Sequence, residues 1–133
     1  MPTENEKLSI LSEMIEFAKV DNEIRRMEYE FLLLLAQKLN IAKETFDHLF
    51  KVPAEHVLPK SQTERIIQFH RLALLMNVDH HQDISEIKKL HDIGLKIGLP
   101  PGAMQQVLMI MHQYPDKIVP PEVLISIFKS HYN

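Results

Sequence analysis

Six acidic residues sit where one apolar run gives way to the next. The stretch "VDNEIRRMEYEF", residues 20–31, carries Asp21, Glu23 and Glu28, and "NVDHHQDISEIKKL", residues 77–90, carries Asp79, Asp83 and Glu86. Carboxylates at the ends of apolar stripes must be solvated, paired, protonated or bound to a cation. An oxygen-only donor set suits hard cations, so calcium, magnesium or manganese is the cofactor these residues could hold. The first stretch is not an EF-hand loop, because Arg25 and Arg26 stand where that loop needs an oxygen ligand and then a glycine. Asp79, His80, His81 and Asp83 mix nitrogen and oxygen donors that could hold zinc or nickel, but no H-E-x-x-H or comparable spacing accompanies them.

A second reading of the same glutamates is structural. The third residue of a helix lies beside unsatisfied N–H groups and the positive end of the helix dipole, and both favour Glu. That accounts well for Glu86, whose cap position holds Asp83. It accounts less well for Glu28, whose cap position holds Arg25, a side chain with no acceptor. The cation reading and the structural reading both stand on the sequence.

The elements that must position these residues are helical. Strand signals are nearly absent, and apolar residues recur at three and four throughout. The periodicity predicts a first helix from about Glu6 to Lys19 and a second carrying Leu32, Leu35 and Leu39. A short third follows Ile41, with Phe46, Leu49 and Phe50 inward. "VPAEHVLP" breaks the pattern with two prolines. A fourth helix starts at Ser61, with Glu64 as its capping-box partner, and a fifth starts at Asp83. Pro100–Pro101 and Pro120–Pro121 announce a sixth and a seventh. Glu28, Leu32, Leu35 and Leu39 share one helical face, as do Glu86, Leu90, Ile93 and Ile97, so each glutamate continues an apolar stripe.

A shift of 58 residues lays the first three helices on the next three without a gap. Met14 falls on Leu72, Phe17 on Leu75, Leu32 on Leu90, Ile41 on Leu99 and Phe46 on Met104. Apolar stripes alone would align this well in any two helical hairpins. Asp21 falling on Asp79, and Glu28 on Glu86, points instead to an internal duplication. If the two halves pack about a pseudo-twofold axis, Asp21, Glu28, Asp79 and Glu86 converge, with Glu23 and Asp83 at the rim.

Composition narrows the function classes. At 133 residues the chain suits one domain with a substantial core. It contains no cysteine, which excludes disulfides, thiolate ligands and thiol chemistry and fits a cytoplasmic protein. Apolar runs such as "FLLLLA" are too short to span a bilayer, so no direct membrane insertion is expected. A net charge of -3 and a pI near 6.2 argue against nucleic acid as the partner. With only 3 glycines, neither G-x-G-x-x-G nor a P-loop can be written.

Residues 18–41, "AKVDNEIRRMEYEFLLLLAQKLNI", and 77–99, "NVDHHQDISEIKKLHDIGLKIGL", resemble the signature of the TerB-like tellurite-resistance family. That signature is an acid, usually a glycine, Glu-Ile, a short polar turn, a glutamate opening the second helix and a leucine-rich stripe. The resemblance covers most of the chain. It implies an all-α, seven-helix TerB-like domain of two similar three-helix repeats, about residues 6–51 and 61–113, plus a C-terminal helix at about 120–132. It also implies acids in each half that hold a metal ion, which correspond here to Asp21, Glu23 and Glu28 and to Asp79 and Glu86. The family glycine is replaced by Asn22 and His80, two of the residue types that tolerate positive φ. Glu23 has His81 as its counterpart.

The expected role is that of a non-catalytic binding or scaffolding domain in a stress or envelope response, with a protein partner. Tellurite reduction by protein thiols is excluded by the lack of cysteine. Two rivals remain from other classes. One is a metal-dependent hydrolase of phosphorylated substrates that uses the same acids. The other is a purely structural interaction module, with the seventh helix or a methionine face of Met104, Met109 and Met111 as its docking surface.

Overall fold

The computed structural model describes residues 3–19, 24–78 and 84–132. Among them every regular element is helical: α1 Glu4–Ala18, α2 Arg26–Lys38, α3 Lys43–Leu49, α4 Gln62–Asn77, α5 Ile84–Lys96, α6 Pro101–Ile110 and α7 Pro121–Ser130. Two 3-10 turns, Met111–Gln113 and Pro115–Lys117, follow α6. Asp116 and Lys117 there adopt left-handed backbone, at φ 55° and 60°. No described helix is long and apolar enough to cross a membrane.

The chain forms two compact units, Met1–Leu58 and Pro59–Asn133, divided within the proline-broken connector. In the first unit α1, α2 and α3 pack against one another. Leu11, Met14, Ile15, Leu32, Ala36 and Phe46 are fully buried there. In the second unit α4 packs on α5 and α7, and α6 on α5 and α7. Phe69 of α4 meets Phe128 of α7 edge-on, with ring centroids 5.7 Å apart, an arrangement aromatic quadrupoles favour.

Local chemistry sets the helix ends. α1 begins two residues earlier than the apolar pattern suggests. Thr3 accepts from the Glu6 N–H at 3.2 Å, and Glu6 accepts from the Thr3 N–H at 3.4 Å, a complete capping box. At α4 the Ser61 hydroxyl accepts from the Glu64 N–H at 3.1 Å. α2 and α5 both end in Schellman geometry. The Asn40 N–H donates to Gln37 O and the Ile41 N–H to Ala36 O, while Gly98 donates to Leu95 O and Leu99 to Gly94 O. The left-handed residue is Asn40 at φ 61° in one case and Gly98 at φ 87° in the other.

These features recur at one interval. α1 and α4, α2 and α5, and α3 and α6 each begin 58 residues apart, and α2 and α5 are both 13 residues long. Thr3 and Ser61, and Asn40 and Gly98, keep the same spacing.

The buried face of α2 differs from the expected stripe. Leu32 and Ala36 are fully buried, whereas Leu35 and Leu39 are half-buried. On α5, Leu90 and Gly94 are buried and Ile93 is half-buried. The arc is centred on Leu32–Ala36 and Leu90–Gly94 because a small residue one turn on lets the neighbouring helix come close. At Gly94 a β-carbon would run into the Met104 sulfur and would lie 3.5 Å from Phe69 Cδ1.

A third device holds the connector. The Ala54 N–H donates to Ser12 Oγ at 3.0 Å and the Val57 N–H to Ser9 Oγ at 2.9 Å, while Ser9 Oγ donates back to Val57 O at 3.4 Å. Ser9 and Ser12 are buried at 5 % exposure each, and their hydroxyls supply hydrogen bonds to irregular backbone that has no ladder of its own.

Candidate functional site

Of the six acids singled out by the sequence, Glu28 and Glu86 are described. Asp21, Glu23, Asp79 and Asp83 lie outside the described residues, as do His80 and His81. Glu28 is the third residue of α2 and Glu86 the third of α5, and each is only 4 % exposed. Their burial follows from helical phase. Four residues on lie Leu32 and Leu90, both fully buried, so each glutamate faces inward from the first turn. A buried carboxylate is costly without compensation, and neither side chain is left without a partner. The free N–H groups of the first helical turn also offer positive potential at this position.

The α2 junction is braced by its own cluster. Arg25 occupies the cap position and makes no side-chain capping bond. Tyr29, next to Glu28, packs at a tilt against Phe46 and Phe50, with ring centroids 5.6 and 5.8 Å away, and donates from its hydroxyl to Asp47 Oδ1 at 3.2 Å. Lys43 donates to Asp47 Oδ2 at 2.8 Å. That ammonium, hydrogen-bonded to Asp47, holds its carboxyl below the usual carboxylate range, and Lys43 is raised in return. The cluster fixes the first turn of α2 against α3 and so fixes where Glu28 enters the core. The i, i+4 pair of Lys43 and Asp47 is visible in the sequence, but its link to Tyr29 is not, because that contact crosses from one helix to another.

Among the described residues, the second unit buries two polar side chains besides Glu86. Gln68 is 2 % exposed and Asn77 5 %, and Asn77 Nδ2 donates to the Met111 thioether at 3.9 Å. His70 Nε2 lies 3.1 Å from Val119 O and is the donor, since a carbonyl can only accept. Burial lowers the His70 pKa from its ordinary value, with the Val119 hydrogen bond opposing the shift and nearby Arg71 adding to it. Nε2 of His91, on α5, is buried and has no hydrogen-bond partner among the described residues. His48, His56, His112 and His131 are exposed. Of the methionine face, Met104 and Met111 belong to the core, and Met109 is 75 % exposed.

The residues present can be weighed against a cation. Among the described residues no group of three or more His, Asp or Glu side chains is arranged to hold a metal ion. Within either unit the described candidates amount to one carboxylate, two oxygens at most, against the six to eight that calcium takes. The described residues do not form a cage by themselves. What they do provide is one buried carboxylate per unit, fixed at the start of a helix. Compared with family models, with curated proteins and with solved structures, the chain gives no significant match.

Proposed function

We propose that the chain is a non-catalytic, TerB-like binding or scaffolding domain, built from a duplicated three-helix element with α7 added, and that it acts through a protein partner. The observation that carries this reading is the likeness of Glu28 and Glu86. Both are third residues of a 13-residue helix, both are 4 % exposed, and they stand 58 residues apart. Amphipathic helices in general share apolar stripes, so stripes alone would say little. The helix N-terminus favours Glu at the third position of any helix, but it does not require that glutamate to be buried, and here both are. The matched caps at Thr3 and Ser61, and the matched left-handed residues Asn40 and Gly98, support the same register.

In this reading the glutamates organise the hairpins, and a divalent cation is the ligand of the junction acids. Metal analysis of protein purified without chelators or affinity-tag metal is the direct test, together with melting curves in millimolar calcium, magnesium or manganese. A ligand present at about 100 times its dissociation constant stabilises by about 2.7 kcal/mol. The rise in melting temperature should vanish in the double variant Asp21→Asn, Asp79→Asn. A wild-type chain indifferent to all three ions removes the cation and leaves the glutamates as structural anchors. Hydrolysis of a phosphomonoester that co-purifies with the chain and is lost in Glu28→Gln would overturn the non-catalytic reading.

A further inference from the structure

The four leucines at positions 32–35 of α2 cannot all turn inward, because successive residues of a helix are rotated by about 100°. Leu32 is fully buried, and Leu34, on the far side, is 59 % exposed. Met27, two turns before Leu34, is 47 % exposed, and Phe31 between them is half-buried. An apolar stripe therefore runs along the outer side of α2. Exposed Glu30 and Lys38 flank it, each four residues from Leu34. Glu30 is held by Arg26 within the helix at 3.1 Å, whereas Lys38 has no ion pair among the described residues.

This charge order is complementary to its own reverse. We propose that α2 is the contact helix of a weak two-fold dimer, pairing antiparallel with α2 of a second copy about Leu34. In that register Leu34 meets Leu34 of the second copy, and Glu30 of each chain lies level with Lys38 of the other. Symmetry makes both ion pairs at once, as an isologous interface requires, and the antiparallel arrangement opposes the two helix dipoles. The second copy is preferred to an unrelated helix because the stripe and both of its flanking charges are already self-complementary. A 13-residue helix is about 20 Å long, and one such face is smaller than the roughly 800 Å² per partner of a standard interface. The dimer is accordingly weak, with a dissociation constant on the order of 0.1 mM. It does not depend on the TerB-like reading.

Sedimentation velocity of the whole chain over micromolar to millimolar concentrations should show a reversible shift from monomer to dimer. Leu34→Glu, at an exposed position, should leave the melting temperature unchanged and weaken association by about tenfold or more, the scale expected for burying a charge at an interface core. Glu30→Lys and Lys38→Glu should each weaken it, and the two together should restore it. The chain has no cysteine, so Leu34→Cys supplies a single thiol on the two-fold axis. With oxidised glutathione it should form a disulfide dimer far faster than Met109→Cys, whose thiol is at a more exposed position. A chain that stays monomeric at millimolar concentration overturns the proposal. So does a dimer indifferent to Leu34→Glu, a charge exchange without recovery, or equal rates of cross-linking for the two thiols.

Discussion

Gly94→Ala puts a methyl group against the Met104 sulfur. Two effects oppose each other. Alanine in a helix is favoured over glycine by about 1 kcal/mol, through backbone entropy in the unfolded chain. Against this, the new methyl meets the Met104 sulfur, and Met104 is fully buried. Overpacking of this kind costs about 1–3 kcal/mol, and the flexibility of the methionine side chain keeps the cost toward the lower end. The net expectation is a destabilisation of about 0–2 kcal/mol. A sharper result comes from the pair. With Met104→Ala as the background, the obstructing sulfur is gone and Gly94→Ala should become stabilising by about 1 kcal/mol. The sign of the effect thus reverses, with a coupling of about 1–3 kcal/mol in the double-mutant cycle. Urea unfolding followed by far-ultraviolet circular dichroism measures all four corners. If Gly94→Ala stabilises both backgrounds equally, Met104 does not lie over Gly94 and the account of this packing is wrong.

Leu32→Ala and Leu90→Ala should each cost about 2–5 kcal/mol as cavities in a filled core, while half-buried Leu35→Ala and Ile93→Ala should cost clearly less; equal losses in urea melts would show that the buried arc of α2 and α5 is misplaced. The third prediction concerns pH. His70 has a folded pKa lowered from 6.5 by burial, so the unfolded chain binds more protons in the window below that value. The stability gained by keeping His70 neutral is present above pH 6.5 and is lost as the pH falls toward the lower folded value. His70→Gln keeps a donor for Val119 and removes the titration, so the difference in stability between wild type and variant should shrink or reverse on acidification; a difference independent of pH between 7 and about 5 refutes it.

Helix number and order were legible because apolar spacing, proline positions and the Ser61 cap are local signals. The start of α1 was not, since the Thr3–Glu6 box lies ahead of the apolar pattern. The run Leu32–Leu35 shows the limit of periodicity. Hydrophobic residues mark a face only broadly, and what centres that face is a small residue, Ala36 or Gly94, which contributes little to the pattern. Burial of Glu28 and Glu86 was legible from their phase with Leu32 and Leu90. The Ser9 and Ser12 strap was invisible, because its partners Val57 and Ala54 are more than forty residues away and serine in a helix carries no signal of what it will bind. His70 was likewise indistinguishable from the exposed histidines, since only its tertiary neighbour Val119 sets it apart.

The serine strap also decides how the connector answers to fluctuations. Ala54 and Val57 give their amide protons to side chains of α1 and not to a ladder of their own. Hydrogen exchange at these two amides therefore requires release from α1 and not the melting of any helix to which they belong. Protection at Ala54 and Val57 becomes a clock for the undocking of the connector, separable from the breathing of α1 itself. Because the boundary between the first unit and the second falls within that connector, a protease whose cleavage next to Ala54 or Val57 requires undocking reports the same event.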